Sequence, residues 1–305
     1  MRPLAVIGNV NVDIILGPTK AWPRPGTETI VDHDELRVGG QAGNTALTWQ
    51  ALGVDFEIAA NVGADQFGLW LRNAFGAKAE HWPTSSSRTT LSVGITHPDG
   101  ERTFFTTHGH LPDFTLADVL AMLDGRRLGG GHVLLCAAFL TPRLAGDYDR
   151  LFDWAEAHDI AIALDTGWPP DGWTPRNRDL ARHWLRRSQC ALLNEIEITT
   201  LAGLDDPTDA ALALHGEMPK GAITVVKRGP DGATAIGPDG DAVSVPAPAP
   251  AVTVVDTIGA GDVFNAAFLA ALAQDRPLAI CLGEGVRAAS RAISTAPRQY
   301  REDTE

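Results

Sequence analysis

Short apolar runs recur along the chain, and from residue 115 onward they alternate with segments whose apolar residues follow a helical period. Brief apolar runs bounded by polar residues are typical of buried strands, whereas apolar residues three and four apart indicate amphipathic helices. The clearest strand-like runs are 132–137, 160–164, 190–193 and 223–226. Strands that alternate with helices favour a parallel sheet covered on both faces. The sequence therefore predicts an α/β fold with a mostly parallel central sheet.

Residues 88–107 break this alternation, because two alternating segments meet at His97-Pro98-Asp99-Gly100 with no helix between them. Pro-Asp-Gly is turn chemistry and predicts a hairpin. With residues 11–38 this hairpin predicts a small β-sheet lid, which must pack on the core, on a partner's lid in a homodimer, or on bound substrate. The predicted division is an α/β core of residues 1–10, 39–87 and 108–305, with a lid of residues 11–38 and 88–107. His108 and His110 end the hairpin and are predicted to be surface residues without a role.

The stretch Asp256-Thr257-Ile258-Gly259-Ala260-Gly261-Asp262-Val263-Phe264-Asn265 carries the strongest chemical signal. The β-branched run 252–255 predicts a buried strand before it, and the apolar spacing predicts a helix after it. The amides of residues 259–262 would then point out of a helix N-terminus, where Gly259 and Gly261 leave room for an anion. Asp262 would be a general base beside that anion, or would only balance the helix dipole. The two glycines favour an oxyanion or phosphoryl site.

Two segments near the N-terminus have the residues of a ligand site. Asn9, Asn11 and Asp13 alternate, so one strand would carry all three on one face. They would hold a polyol through its hydroxyl groups or form a solvent-facing polar edge, and the sequence leaves both open. Gly39-Gly40-Gln41-Ala42-Gly43-Asn44 leads into a helix, and its three glycines favour close approach to a ligand that Asn44 would face.

Polar residues also follow the predicted strands one after another. In open α/β sheets ligands bind outside the carboxyl ends of the strands. The polar residues at these positions are Asp13, Asp165, Asn194 with Glu197, Lys227 with Gly229, and Asp256. The sequence therefore predicts a ligand site along one edge of the sheet.

Composition narrows the class of partner. The formal net charge of −13 argues against a nucleic-acid or anionic-membrane surface, but not against a phosphorylated ligand bound by amides. Cys136, Cys190 and Cys281 form no CxxC pattern, which predicts buried thiols in a reducing cytoplasm. Residues 1–16 are too short and too polar to predict a signal peptide or a membrane span.

Over essentially its whole length the chain resembles the ribokinase-like, or PfkB, family of carbohydrate and nucleoside kinases. Residues 256–262 resemble that family's C-terminal signature, residues 39–44 its N-terminal one, and Asn194-Glu195-Ile196-Glu197 its NxxE motif. The resemblance implies a three-layer sandwich with a β-sheet lid. It also implies an ATP-dependent kinase that transfers the γ-phosphoryl group to a hydroxymethyl group of a small-molecule sugar.

The resemblance further implies roles for single residues. Asp262 would be the base, and the backbone of Gly259, Ala260 and Gly261 would form the anion hole with it. The sugar would bind at Asn11, Asp13, Gly39, Gly40 and Asn44, and the nucleotide at Asn194, Lys227, Gly229 and Gly232. Glu197 would position Mg²⁺ through water. Asp256 would bind a monovalent cation such as K⁺, although residues 294–297 match the later loop of that cation site poorly.

Other functions stay open beside the favoured sugar kinase. A nucleoside kinase would place aromatic residues over a base, for which the lid offers Trp22, Phe104 and Phe105. A catalytically silent sugar-binding regulator is disfavoured by the intact Asp262, and a dehydrogenase by the missing glycine fingerprint after the first strand. Phosphorylated sugars are disfavoured because segments 9–16 and 38–46 contain no lysine or arginine, Arg37 lying just outside them.

Overall fold

The computed structural model describes residues 1–19, 22–97, 102–249, 252–295 and 298–300. Its strands are β1 (Leu4–Ile7), β2 (Asn11–Gly17), β3 (His33–Gly39), β4 (Glu57–Ala59), β5 (Val62–Gly63), β6 (Thr84–Ser85), β7 (Leu91–Thr96), β8 (Arg102–Thr106), β9 (His132–Leu135), β10 (Ala161–Leu164), β11 (Cys190–Asn194), β12 (Ile223–Lys227), β13 (Ala233–Ile236) and β14 (Ala242–Val245). Its helices are α1 (Gln41–Ala51), α2 (Gln66–Phe75), α3 (Leu116–Met122), α4 (Gly125–Leu128), α5 (Pro142–Gly146), α6 (Tyr148–Ala157), α7 (Pro175–Leu185), α8 (Glu195–Ala202), α9 (Pro207–His215), α10 (Ala260–Leu272) and α11 (Leu278–Ser294).

The larger sheet has eight strands in the order β14-β13-β12-β11-β10-β9-β1-β4. Every neighbouring pair from β12 to β4 is parallel. The hairpin of β13 and β14 adds an antiparallel edge. The predicted mostly parallel central sheet is therefore confirmed.

Residues of the central strands are buried alternately on the two faces of this sheet. In β1, Leu4 and Val6 belong to a core with residues of α1, α10 and α11, whereas Ala5 and Ile7 belong to a core with residues of α3, α6 and α7. Because side chains alternate across a strand, an unbroken apolar run can bury both faces. The result is a helix–sheet–helix sandwich, as the resemblance implied. Its three cysteines are buried free thiols.

A second sheet of four strands, in the order β3-β2-β7-β8, stands apart from the first. It contains the predicted hairpin as β7 and β8, although the turn residues 98–100 lie outside the described part. Leu36, Phe104 and Phe105 expose between 44% and 53% of their surface. That this sheet closes as a lid, or pairs with a second copy, stays a prediction.

His110 was predicted to be a surface residue, and this was wrong. Its side chain is buried, and Nδ1 accepts a hydrogen bond from the Thr90 amide at 2.9 Å. Burial lowers the pKa of His110 to about 4. The imidazole joins the base of the second sheet to the core, which the sequence did not indicate.

The buried strand predicted at 252–255 is also wrong. Val254 and Val255 are more than half exposed, at 54% and 56%. The amides of Val255 and Asp256 both donate to the Ile293 carbonyl on α11, at 2.7 and 3.1 Å. The segment is thus fixed to a helix end, and the β-propensity of its valines is overridden by tertiary contacts. Among the residues that the structure describes, no helix is long and apolar enough to span a membrane.

Candidate active site

The N-terminus of α10 carries Asp262 in its first turn, and Gly259 caps it in the left-handed conformation with φ 75°. Two of the four amides predicted to be free are used by the backbone. Ala260 donates to the Thr257 carbonyl at 3.2 Å and Asp262 to the Gly259 carbonyl at 3.1 Å. Within the described residues the amides of Gly259 and Gly261 have no acceptor. Two amides, instead of the four expected, are therefore available to bind an anion.

The space at these two glycines is limited by other site residues. A Cβ at Gly259 would lie 2.7 Å from Asn44 Nδ2, and left-handed backbone there already favours glycine. A Cβ at Gly261 would lie 3.4 Å from Lys227 Nζ, which is ordinary contact. The fold therefore requires glycine at 259 but tolerates a methyl group at 261.

Asp262 is buried, and its Oδ2 accepts a hydrogen bond from Asn44 Nδ2 at 2.8 Å. Burial raises the pKa of Asp262 to about 7, and the nearby charge of Asp165 adds to the rise. Carboxylates with a pKa near neutrality can accept a proton from an alcohol at physiological pH. Asp262 is therefore a candidate for a general base.

A buried ion pair lies beneath Gly261. Lys227 Nζ contacts Asp165 Oδ2 at 2.7 Å, and Asn265 Nδ2 donates to the same oxygen at 2.7 Å. Burial alone would raise the pKa of Asp165, but the Lys227 charge outweighs it and holds that pKa below its ordinary value. Burial would likewise lower the pKa of Lys227, which the charge of Asp165 instead raises. The pair is fixed in its charged form.

A ladder of polar side chains runs from the second sheet to this ion pair. Asn9 Nδ2 donates to Asn11 Oδ1 at 3.0 Å, and Asn11 Nδ2 donates to Asp13 Oδ1 at 2.8 Å. The Gln41 amide donates to Asn9 Oδ1, and Gln41 Nε2 donates to Asp165 Oδ1 at 3.0 Å. Burial raises the pKa of Asp13 to about 6, against the lowering effect of Arg37. The alternation at 9, 11 and 13 thus faces the protein interior, and the alternative of a solvent-facing polar edge is wrong.

The glycines before α1 make room for this ladder. A Cβ at Gly39 would collide with the Asp13 carboxylate, and one at Gly40 would lie 2.7 Å from Asn11 Oδ1. Gly40 also has φ 86°, where glycine is strongly favoured. Atoms of the protein, which at Gly40 include the Asn9 backbone carbonyl, therefore account for glycine at both positions without a ligand.

The predicted nucleotide and metal residues lie at the ends of β11 and β12. Asn194 and Glu197 form a capping box: Glu197 Oε2 accepts from the Asn194 amide, and Asn194 Oδ1 accepts from the Glu197 amide, each at 2.8 Å. Gly229 is open, since a Cβ there would meet no atom within 4 Å. At Gly232 a Cβ would collide with the Val245 carbonyl, so the β13–β14 hairpin explains that glycine.

The donor set fits a magnesium ion held through water. No cluster of three or more His, Cys, Asp or Glu side chains arranged for a metal occurs in the described residues. Glu197 is buried, and burial followed by the charge of Asp165 raises its pKa to about 7. A nearby cation would stabilise the charged carboxylate of Glu197 and lower its pKa. Mg²⁺ bound to phosphates usually keeps several waters, which Glu197 can accept from.

Asp256 fits a monovalent cation poorly. Its Oδ1 accepts from the Ile258 amide at 2.8 Å, and its Oδ2 accepts from Arg37 Nη1 at 2.6 Å and Arg298 Nη2 at 2.8 Å. Burial would raise the pKa of Asp256, but the charge of Arg37 and the other partners hold it below its ordinary value. Both oxygens of Asp256 already accept hydrogen bonds, so neither is open to a monovalent cation.

The structure thus brings Asp262, Asn44, Lys227 and the Asn11–Asp13 ladder to one edge of the large sheet. Gln41, Asn265 and Arg298 also lie there and were missed. Asn265 could have been found, because it follows Asp262 by three residues and so shares its helix face. No sequence pattern indicated that Arg298 lies at the site, because its position depends on how the C-terminal segment packs.

The layered core with a separate small sheet is the ribokinase-like fold, so the predicted fold class is confirmed. The structure of Arabidopsis thaliana ribokinase complexed with ribose and ATP superposes with a TM-score of 0.78 at 24% identity, covering 96% of this chain and 93% of that one. The pfkB family carbohydrate kinase model matches residues 1–303, and the chain belongs to this family. It is therefore a sugar kinase of an ATP-using family.

Two curated relatives extend over most of the chain. The ribokinase of Bacillus subtilis is 25% identical over 296 residues, covering 96% of this chain and 93% of that protein. The 1-phosphofructokinase of Haloferax volcanii is 30% identical over 268 residues, covering 87% and 82%. The two relatives are named for different sugars, so the similarity defines the family and leaves the acceptor open.

Proposed function

We propose that this kinase transfers the γ-phosphoryl group of ATP to a hydroxymethyl group of a sugar, with Asp262 as the general base. The observation that carries the proposal is the buried Asp262 carboxylate, whose pKa is raised to about 7 at the N-terminus of α10. Asp262 accepts the alcohol proton while the alcohol oxygen bonds to the γ-phosphorus and the bond to the leaving ADP oxygen breaks.

The amides of Gly259 and Gly261 stabilise the negative charge that spreads over the transferring group. The Lys227 ammonium lies close to Gly261 and adds a fixed positive charge on the same side. Glu197 would hold magnesium through water, and the bound ion would supply positive charge to the phosphates. Asn44 orients Asp262 through its hydrogen bond and also faces the acceptor.

The acceptor lies between the polar ladder and α10 in this proposal. Asp13, deprotonated above about pH 6, accepts hydrogen bonds from sugar hydroxyl groups, and Asn11 fixes its orientation. Closure of the second sheet excludes water that would otherwise hydrolyse ATP. Asn194, Lys227 and the open Gly229 border the nucleotide, and the capping box keeps the end of β11 rigid.

A phosphorylated sugar is the second candidate acceptor. Arg37 lies directly opposite Asp13 in the β2–β3 pairing, and its Nε and Nη2 are buried without a hydrogen-bond partner among the described residues. These donors suit a phosphate group. Arg37 thus weakens the expectation that phosphorylated sugars are poor substrates.

The test is a coupled assay of ADP release across ketoses, aldoses, their monophosphates and nucleosides. A sugar as best substrate supports the main proposal, and a sugar phosphate whose KM rises in Arg37→Met supports the second. A nucleoside as best substrate would refute both. Absence of ADP release with every acceptor would favour the sugar-binding regulator.

A further inference from the structure

Arg298 reaches the anion hole from the C-terminal segment. Its Nη2 contacts Asp256 Oδ2 at 2.8 Å, and its side chain is only 10% exposed. Its Nη1 lies 3.2 Å from the position that a Cβ of Gly259 would occupy. A full positive charge therefore lies beside Gly259, the residue that precedes α10.

A separate set of contacts holds this arginine in place. The Tyr300 side chain hydrogen bonds to Arg298 and packs on a small cluster of Val263 and Ala267 from α10 with Ala288 and Ala292 from α11. The tail is thus anchored on the same helix whose N-terminus carries Asp262. Asp256 in turn accepts a hydrogen bond from the Ile258 amide. Arg298 is therefore connected to the turn through Asp256 and to α10 through Tyr300.

We propose that Arg298 is the fixed cation of the anion hole and takes at Asp256 the place expected for a monovalent metal ion. The inference rests on the proposed phosphotransfer at Asp262 and goes beyond it, because it makes the C-terminal segment part of the catalytic machinery. It predicts a kinase that works at full rate without K⁺. Arg298 is a positioning residue, since it acts by holding Asp256 and the turn.

The charges favour an arginine over a bound ion. Arg37 and Arg298 place two guanidinium groups on one carboxylate oxygen, so a third cation would meet repulsion instead of an open ligand. A guanidinium stays protonated across the whole range of pH that proteins tolerate, and as part of the chain it cannot dissociate. The charge that holds Asp256 and the turn in place is therefore permanent.

The experiment compares wild type, Arg298→Ala, Arg298→Lys and the control Arg287→Ala in choline, K⁺ and guanidinium chloride at equal ionic strength. Arg287 lies on the surface of α11 and pairs there with Glu284 at 2.9 Å, so its loss removes a charge of the same kind away from the site. We expect wild type and the control to change by less than about twofold between choline and K⁺. Arg298→Ala should lose roughly 10- to 100-fold in kcat in choline, the range for one charge-assisted hydrogen bond, with little change in the acceptor KM.

Two results would separate positioning from general damage to the fold. Low millimolar guanidinium or K⁺ should restore several-fold activity to Arg298→Ala only. Arg298→Lys should keep most of the rate, because its ammonium still supplies a positive charge beside Asp256. Wild type that needs K⁺, or Arg298→Ala that is as active as wild type in choline, would overturn the proposal.

A readout without substrate keeps the inference apart from the proposed reaction. The melting temperature of unliganded Arg298→Ala should be higher in K⁺ than in choline, because Asp256 then lacks one of its two cations, whereas wild type should melt equally in both. If no acceptor is found, the proposed function fails while this comparison still decides the role of Arg298. Equal melting of Arg298→Ala in both salts would refute that role.

Discussion

Replacing Asp262 with asparagine separates catalysis from stability at one buried position. The amide keeps the shape of the carboxylate, and its oxygen can still accept the hydrogen bond that Asn44 donates at 2.8 Å. It cannot accept the alcohol proton, so turnover should fall by roughly 100- to 10,000-fold, the range for loss of a general base. ATP affinity should stay nearly unchanged.

The same substitution should stabilise the protein at alkaline pH. The pKa of Asp262 rises from 3.8 to about 7 on folding, so the folded protein keeps a proton that the unfolded chain has lost. The free energy of unfolding therefore decreases as pH rises from about 4 to about 7. Above that range the full cost of burying the charged Asp262 is present. Three pKa units correspond to at most about 4 kcal/mol.

The assay is chemical unfolding of wild type and Asp262→Asn at about pH 4.5 and pH 8, together with kcat at pH 8. The gain in free energy of unfolding should be large at pH 8 and small at the lower pH. Asp239→Asn, in an exposed turn between β13 and β14, is the matched control and should change neither quantity. A variant that keeps more than a tenth of the wild-type kcat, or one less stable than wild type at pH 8, would refute the reasoning.

Three further substitutions test the rest of the site. Gly261→Ala should fold at least as well as wild type, because the new methyl group meets only the Lys227 side chain, with Nζ at 3.4 Å. It should nevertheless lose more than about tenfold in activity, because the methyl group fills the space of the anion. Full activity with a normal KM for ATP would exclude that space as the phosphoryl site. Lys227→Met should lower the free energy of unfolding by about 3 to 5 kcal/mol by leaving Asp165 buried and unpaired, and the double variant with Asp165→Asn should recover part of this loss in the same denaturation assay. Asp13→Asn should raise the KM for the sugar more than that for ATP. The wild-type sugar KM should rise as pH falls through about 6, where Asp13 becomes protonated, and should not do so in the variant; an unchanged pH profile would remove Asp13 from the acceptor site.

The fold class and the helix start at Asp262 could be predicted because both depend on local patterns. Apolar runs separated by helical periods determine the layers, and Gly259, Gly261 and Asp262 lie within one turn of a helix start. The strand ends at Asp165 and Lys227 were also visible, since parallel strands bring their carboxyl ends to one edge. Neighbours in sequence were enough for these inferences.

What the sequence could not provide are contacts between distant segments. The glycines at 39 and 40 indicated a ligand, but their neighbours are Asn11 and Asp13 from another strand. The valines at 254 and 255 indicated a strand, but α11 supplies their backbone partner. Arg298 lies 42 residues from Asp256 in the chain, and no local pattern joins them.

Three carboxylates of the site differ in the cation that each one meets, and this difference separates the roles proposed for them. Asp165 has Lys227 at 2.7 Å and Asp256 has two arginines, so both keep a lowered pKa and remain charged. Asp262 is also buried, but its closest partner is the neutral amide of Asn44, and its pKa rises to about 7. Carboxylates whose environments separate their pKa values take different tasks in catalysis. In the proposed reaction Asp165 and Asp256 would therefore stay charged beside their cations, while Asp262 would exchange the proton.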